Sequence, residues 1–325
     1  MKKINLFALA CLMMTAMPVK ADIAPTVMLH RGNEVKTYMY YQVQQAVDDA
    51  QDGDTIFLSG GTFQPFNVNK RILVRGAGPN TIVEGSCIID ISGTDKLTMP
   101  VLDALSFNGD VQVENAYKQF TLRKCSMNSL IFNEEEGKEF YDVKIDRCYI
   151  DNRLNLPNSI IQFNAFNSRV WYLYPHNYTG HATFEHCNIT SICAPITGGE
   201  FNSCAIGKSS KFSDASSYKN LIGCILNSCF INTYNGYFSN CQTINCLTES
   251  DNSNGVDNLY FNFAYKSKNN KSCISALDGT YIGAYGGQHP FNRNPEIPGV
   301  KKHQISIDAA TRTMTVTLTV DKLDK

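Results

Sequence analysis

The feature that most constrains this chain is a spacing repeated around its cysteines. At six of them an apolar residue lies three positions before and another two after: Leu122–Cys125–Met127, Ile145–Cys148–Ile150, Phe184–Cys187–Ile189, Phe201–Cys204–Ile206, Leu221–Cys224–Leu226 and Leu226–Cys229–Ile231. Phe238–Cys241 with Ile244 follows more loosely. The steps Cys125–Cys148, Cys187–Cys204 and Cys204–Cys224 are 23, 17 and 20 residues, and the 39 between Cys148 and Cys187 accommodate two units, one lacking the cysteine. Short β-rich pieces alternate with Asn, Ser and Gly, without long runs of helical period, so strand and turn are favoured over helical repeats. A period near this length predicts a solenoid whose turns stack to continue one core. The 31 Asn among 325 residues fit that reading, because Asn tolerates left-handed backbone and favours turns over helix interiors.

The start of the repeat is marked by a helix. Val43, Ala46, Val47 and Ala50 fall on one face of a segment predicted as helical over 41–50, at the i, i+3, i+4, i+7 spacing of an amphipathic helix. Asp52-Gly53-Asp54 ends it, Thr55–Leu58 reads as a buried strand, and Gly60–Phe63 turns the chain. Ile72–Val74 and Thr81–Val83 follow as strands around Arg75-Gly76-Ala77-Gly78-Pro79-Asn80. This order, an amphipathic helix, then DGDTIFLSGGTF, then ILVRGAGPNTIVEG, resembles the opening of right-handed parallel β-helix proteins of the pectin-lyase-like class. The resemblance covers about residues 40–85 and implies a fold in which the helix caps the open end of the core. The segment LDGTYIGAYGGQHPFNRNPEIPG also resembles the tail of secreted β-helix proteins from Bacteroidetes. Gln304–Asp308 and Met314–Val320 alternate around Ala309–Arg312, which predicts a terminal hairpin. The expected fold is therefore all-β: one right-handed parallel β-helix over 22–300, with an N-terminal capping helix and a C-terminal hairpin over 301–325.

Residues 1–21 read as a secretory signal peptide. Lys2 and Lys3 precede a mostly apolar run from Leu6 to Met17, and Val19-Lys20-Ala21 offers small residues at cleavage spacing. A lipid anchor on Cys11 is the rival, but the Leu usual three residues ahead is missing. Cleavage near Ala21 removes Lys2, Lys3, Lys20 and no acid, moving the formal charge from −1 to −4. The expected locale is secreted, cell-surface or periplasmic. A weakly acidic chain gives no reason to expect nucleic acid, and no apolar stretch has the length of a membrane helix.

Eleven cysteines remain after cleavage, an odd number, so complete intramolecular pairing is impossible. The spacing favours a ladder of buried thiols at one repeated turn position, about 4.8 Å apart. Some disulfides remain compatible with that separation. Zinc prefers ligands two to four residues apart, and Cys224/Cys229 and Cys241/Cys246 sit at the upper edge of that range. No metal and no cofactor is expected.

The resemblance implies polysaccharide enzymes among the relatives, but the carboxylate patterns of pectate-lyase-like and polygalacturonase-like sites are not found. Two positions before the repeat cysteine stand Arg123, Asp146, Glu185, Asn202 and Asn227. Arg123 and Asp146 are expected on adjacent turns as an ion pair. Asp146 and Glu185, two turns apart, would lie about 9–10 Å from each other, within the span of an inverting carboxylate pair. No catalytic residue is assigned.

The strongest candidate for binding is the aromatic run Trp171, Tyr172, Tyr174, His176 and Tyr178, flanked by Arg169 and His181 in the unit without a cysteine. Aromatic rings offer apolar area with a polar handle, suited to sugar faces. The position beside a break in the repeat suggests an inserted loop; were it a strand, alternation would bury Trp171 and Leu173 and expose Tyr172 and Tyr174. The expected function is a non-catalytic glycan-binding or adhesive surface module, with a polysaccharide or surface glycan as partner. The alternative is a polysaccharide lyase or glycoside hydrolase of the pectin-lyase-like class.

Overall fold

A computed structural model describes residues 24–90, 101–114, 120–133, 139–176, 178–207, 221–231, 238–244, 246–248, 276–280, 282–292, 300–308 and 313–320. The signal-peptide segment 1–21 and the hairpin tip 309–312 lie outside the described residues.

The chain opens with an element that the sequence reading did not contain. Strands β1 (Thr26–Arg31) and β2 (Glu34–Met39) form an antiparallel hairpin, and β1 pairs antiparallel with β3 (Thr55–Leu58). Alternation in β1 buries Val27 and Leu29 and places them opposite Leu58 and Ile56. Helix α1 (Val43–Asp49) buries Val43, Ala46 and Val47, the face predicted from the spacing. Lys70, from the next turn of chain, donates to the carbonyls of Val47 (3.1 Å), Asp48 and Ala50 (2.9 Å). It thereby supplies the cation that a helix C-terminus favours. Helix and hairpin together cover the first end of the core.

From β3 onward the chain is a parallel β-solenoid. Among the described residues its first sheet has 12 strands, including the antiparallel β2 and β1 at one edge; a second has 13 and a third has 3. One inward column of the first sheet runs Ile56, Val74, Leu102, Leu122, Ile145, Ala165, Phe184, Phe201, Leu226 in register. In the second sheet Ile150, Val170, Ile189, Ile206 and Ile231 stack likewise. These are the positions three before and two after the repeat cysteine, and all of them are buried. Aromatic rings continue the stack, with Phe184 and Phe201 parallel at 4.9 Å.

Between these columns the chain turns a corner, and the residue just before the corner adopts left-handed backbone. Lys124, Arg147, Asn167, His186, Ser203 and Ser228 have φ between 44° and 56°. Each backbone N–H there donates to the next turn, as in Lys124 to Asp146 (2.8 Å) and Arg147 to Phe166 (2.9 Å). The following residue points inward. It is Cys125, Cys148, Ser168, Cys187, Cys204 and Cys229, and Ser168 fills the step where the cysteine is missing.

The single S–H of Cys148, Cys187, Cys204 and Cys229 is shared in each case between two carbonyls within reach. Cys187 Sγ lies 3.4 Å from both Ala165 O and Glu185 O, and Cys204 Sγ lies 3.3 Å from Phe184 O and Asn202 O. Cys148, Cys187, Cys204 and Cys229 are free, buried thiols, and burial holds the Cys148 and Cys204 thiols well above their ordinary range.

One detail of the predicted repeat is corrected. Cys224 does not continue the Cys204 column. Register places Cys229 there, since Asn202 pairs with Asn227 and Ala205 with Phe230. Cys224 and Cys241 follow Gly223 and Asn240, which are themselves left-handed, at a second corner between the third and first sheets. The apolar–Cys–apolar spacing marks a tight inward corner, and this solenoid has two of them.

At the C-terminus, Val300–Asp308 and Thr313–Val320 pair antiparallel as the expected hairpin. Among the described residues, no helix is long and apolar enough to cross a membrane.

Candidate glycan-binding face

The aromatic run is not an inserted loop. Arg169–Tyr174 is a regular strand of the second sheet, lying between Tyr149–Asn155 and Asn188–Ile192. Simple alternation fails along it, because the register shifts between Ile150 and Arg153. Val170 and Leu173 therefore point inward, while Trp171 and Tyr172, adjacent in sequence, both stay half-buried on the outside. The sequence expected Trp171 to be inside; the bend reverses that.

The outer face gathers rings and cations from neighbouring turns. Trp171 and Tyr172 meet edge to face at 6.4 Å, and Tyr172 meets Tyr174 at 6.4 Å. The Arg169 guanidinium lies 5.1 Å from the Tyr149 ring centroid and 5.4 Å from that of Trp171. Arg153, directly opposite Tyr172, lies 4.6 Å from the Tyr174 ring centroid, and its Nη2 is 2.8 Å from His176 Nε2. Burial, and then the neighbouring Cys193 thiol, push the Tyr174 phenol above its ordinary range. Such cation–ring contacts hold both partners in place, so the face is preorganised.

Tyr178 departs from the expected set. It is fully buried in the core, where its hydroxyl donates to His181 O at 3.1 Å, and burial pushes its phenol far above the usual range. It supports the strand from inside and is not part of the face. His176 is exposed beside Arg153.

Spacing alone could not show two further contributors. Arg153 lies outside the aromatic run and joins it only through the stacking of turns. Tyr285 arrives from the tail, which folds back over the first corner. Asn167 Nδ2 donates to Ala284 O (3.2 Å) and Gly286 O (2.6 Å), Leu277 N–H to Ser203 Oγ (2.9 Å), and Ala284 N–H to Asn188 Oδ1 (3.1 Å). Gly283, at φ 91°, packs where any Cβ would collide with Asn188 Oδ1. Tyr285 is tilted against Phe291 at 5.5 Å. Burial pushes its phenol above the ordinary range, against the opposing charge of Arg169. A signal was present in the aromatic, Gly-rich tail, but nothing in it gave the docking site.

The first sheet's outer face carries the carboxylates weighed above. Arg123 and Asp146 are in register as expected. Arg123 also reaches Asp103 (2.8 Å), which Arg75 grips from the other side (2.8 Å), and Arg147 holds Asp146 at 2.8 Å. Asp146 and Glu185 are separated by Phe166 in the ladder, two turns apart. Asp103 and Asp146 are thus engaged as structural ion pairs. Among the described residues, no group of three or more His, Cys, Asp or Glu side chains could hold a metal ion.

Comparison of the chain with protein-family models, with curated protein sequences and with solved structures found no match.

Proposed function

We propose that this protein is a glycan-binding module that acts without catalysis, exported from the cell and presented at the surface or in the surrounding space. The observation that carries the reading is the half-exposed pair Trp171–Tyr172, extended by Tyr174 and held on a rigid parallel sheet between two arginines. Rings of this kind cover the apolar face of a sugar, while their polar edges and neighbouring donors satisfy its hydroxyls. Solenoids offer long lateral surfaces for extended ligands, and a polymer chain can run along successive turns.

The test is retention of the mature protein on immobilised neutral and acidic polysaccharides, with product analysis in parallel. Saturable retention with no new reducing ends and no unsaturated products supports the reading. Turnover of any polymer replaces it with the lyase or hydrolase alternative. Trp171→Ala and Tyr174→Ala are each expected to weaken retention about tenfold or more, matching stacking contributions of about 1–3 kcal/mol for a buried aromatic anchor. Unchanged retention removes this face from consideration.

A further inference from the structure

We infer that the face selects glycans bearing an oxyanion, a carboxylate or a sulfate ester, through a subsite built by Arg153, His176 and Tyr174. This inference rests on the glycan-binding reading and specifies its ligand class.

Five other arginines among the described residues set the contrast. Arg31, Arg71, Arg75, Arg123 and Arg147 each form an ion pair with an Asp. Arg153 is different. Among the described residues its contacts are the Tyr174 ring and the His176 imidazole, with no carboxylate among them. Its Nε–H is hidden from solvent and has no acceptor. A guanidinium always donates and never accepts, so at this contact the His176 ring can serve only as an acceptor. An imidazole carries no negative charge to offset a cation as a carboxylate does, and an unmet buried donor adds to the deficit. Among the described residues, Arg153 is therefore a cation held in place without a carboxylate to complement it.

Its setting suits an incoming oxyanion on a sugar. The ring of Tyr174 fixes the guanidinium plane, and a planar fork recognises carboxylate or sulfate oxygens two at a time. Arg153 stands opposite Tyr172 and Arg169 opposite Tyr149 on the same pair of strands, so their Cα atoms are about 11 Å apart by strand geometry. Trp171 lies between them along the sheet, with Tyr172 level with Arg153. A sugar stacked on those rings would bring an acidic substituent to Arg153, with the hidden Nε–H satisfied by a small rotation of the side chain toward it.

The experiment compares matched polymers: alginate with carboxyl-reduced alginate, and dextran sulfate with dextran. Wild type is expected to bind at least one acidic member about tenfold or more tightly than its neutral counterpart, the size of one charge-assisted pair. A preference confined to alginate identifies carboxylate, and one confined to dextran sulfate identifies a sulfate ester. Arg153→Gln should bring the ratio of acidic to neutral affinity down to about one, the readout being that ratio and not the neutral affinity itself. Arg153→Lys, which keeps the charge but loses the planar fork, should retain only part of the preference and gives the answer if Arg153→Gln melts early. Equal binding of both members of each pair, or full preference in both variants, overturns the oxyanion subsite and leaves glycan binding standing. Absence of retention on all four polymers overturns both.

Discussion

The ladder position without a cysteine gives the sharpest test of how the corner is held. Ser168 is completely buried. Its hydroxyl donates to Phe166 O at 2.7 Å and accepts the Cys148 backbone N–H at 3.0 Å. Ser168→Ala deletes one oxygen and leaves little space behind, so packing changes are small. Phe166 O keeps the Arg147 N–H at 2.9 Å, but the Cys148 N–H loses its acceptor in a site that water does not reach. An unsatisfied buried donor costs about 1–3 kcal/mol. Ser168→Cys should behave differently, because Cys187 N–H already donates to Cys204 Sγ at 3.4 Å in the neighbouring step; its cost should stay below about 1 kcal/mol. Urea unfolding under reducing conditions measures both, and a loss of 2 kcal/mol at a slope of about 3 kcal/mol/M moves the midpoint by about 0.7 M. Amide exchange at Cys148 should accelerate in Ser168→Ala alone. If Ser168→Ala matches wild type, or Ser168→Cys falls as far as Ser168→Ala, the hydrogen-bonded ladder is the wrong account of this corner.

Three other expectations concern packing, titration and the tail. A Cβ on Gly109 would stand 2.5 Å from Gly85 C and 2.7 Å from Ser86 N on the preceding turn. Gly109→Ala should therefore lower stability by about 1–3 kcal/mol or more, and a thermal melt identical to wild type refutes so close a stacking. Burial pushes the Cys87 thiol up to about 12 and the Cys224 thiol to about 11. An acid whose folded value is raised stabilises fully below its unfolded value and loses that contribution as pH rises toward the folded one. The urea midpoint should therefore decline above about pH 9, less steeply in Cys87→Ala; equal slopes refute the assignment. Asn167→Ala removes two hydrogen bonds to the tail, at Ala284 O and Gly286 O. Limited proteolysis should then cut within 276–292 several-fold faster while the solenoid stays intact, and an unchanged cleavage rate shows that the tail is held by other contacts.

Much of the architecture was legible because it is written locally. The inward columns three before and two after the cysteine follow from the two-residue period of strands on either side of a tight corner. The gap between Cys148 and Cys187 correctly implied a turn with a substitute, which is Ser168. The helix face was readable from its spacing. The candidate face was legible in part: Trp171, Tyr172 and Tyr174 share it and His176 borders it, whereas Tyr178 lies in the core. Alternation misplaced Trp171 because the shift between Ile150 and Arg153 depends on how one strand settles against its neighbour.

By itself, then, the sequence determined a parallel β-solenoid, its inward columns, its entry helix and its terminal hairpin. These depend on spacings of a few residues, over which backbone geometry and side-chain burial are strictly coupled. The tertiary structure decided which corner Cys224 and Cys241 occupy and that a hairpin at Thr26–Met39 closes the first end. It also laid the tail across Asn167, Asn188 and Ser203, and brought Arg153 to the aromatic face. Each of these outcomes joins residues separated by one turn or, for the tail, by 74 to 119 positions. Their pairing is selected by shape, unmet hydrogen bonds and charge between surfaces that exist only once the solenoid has formed.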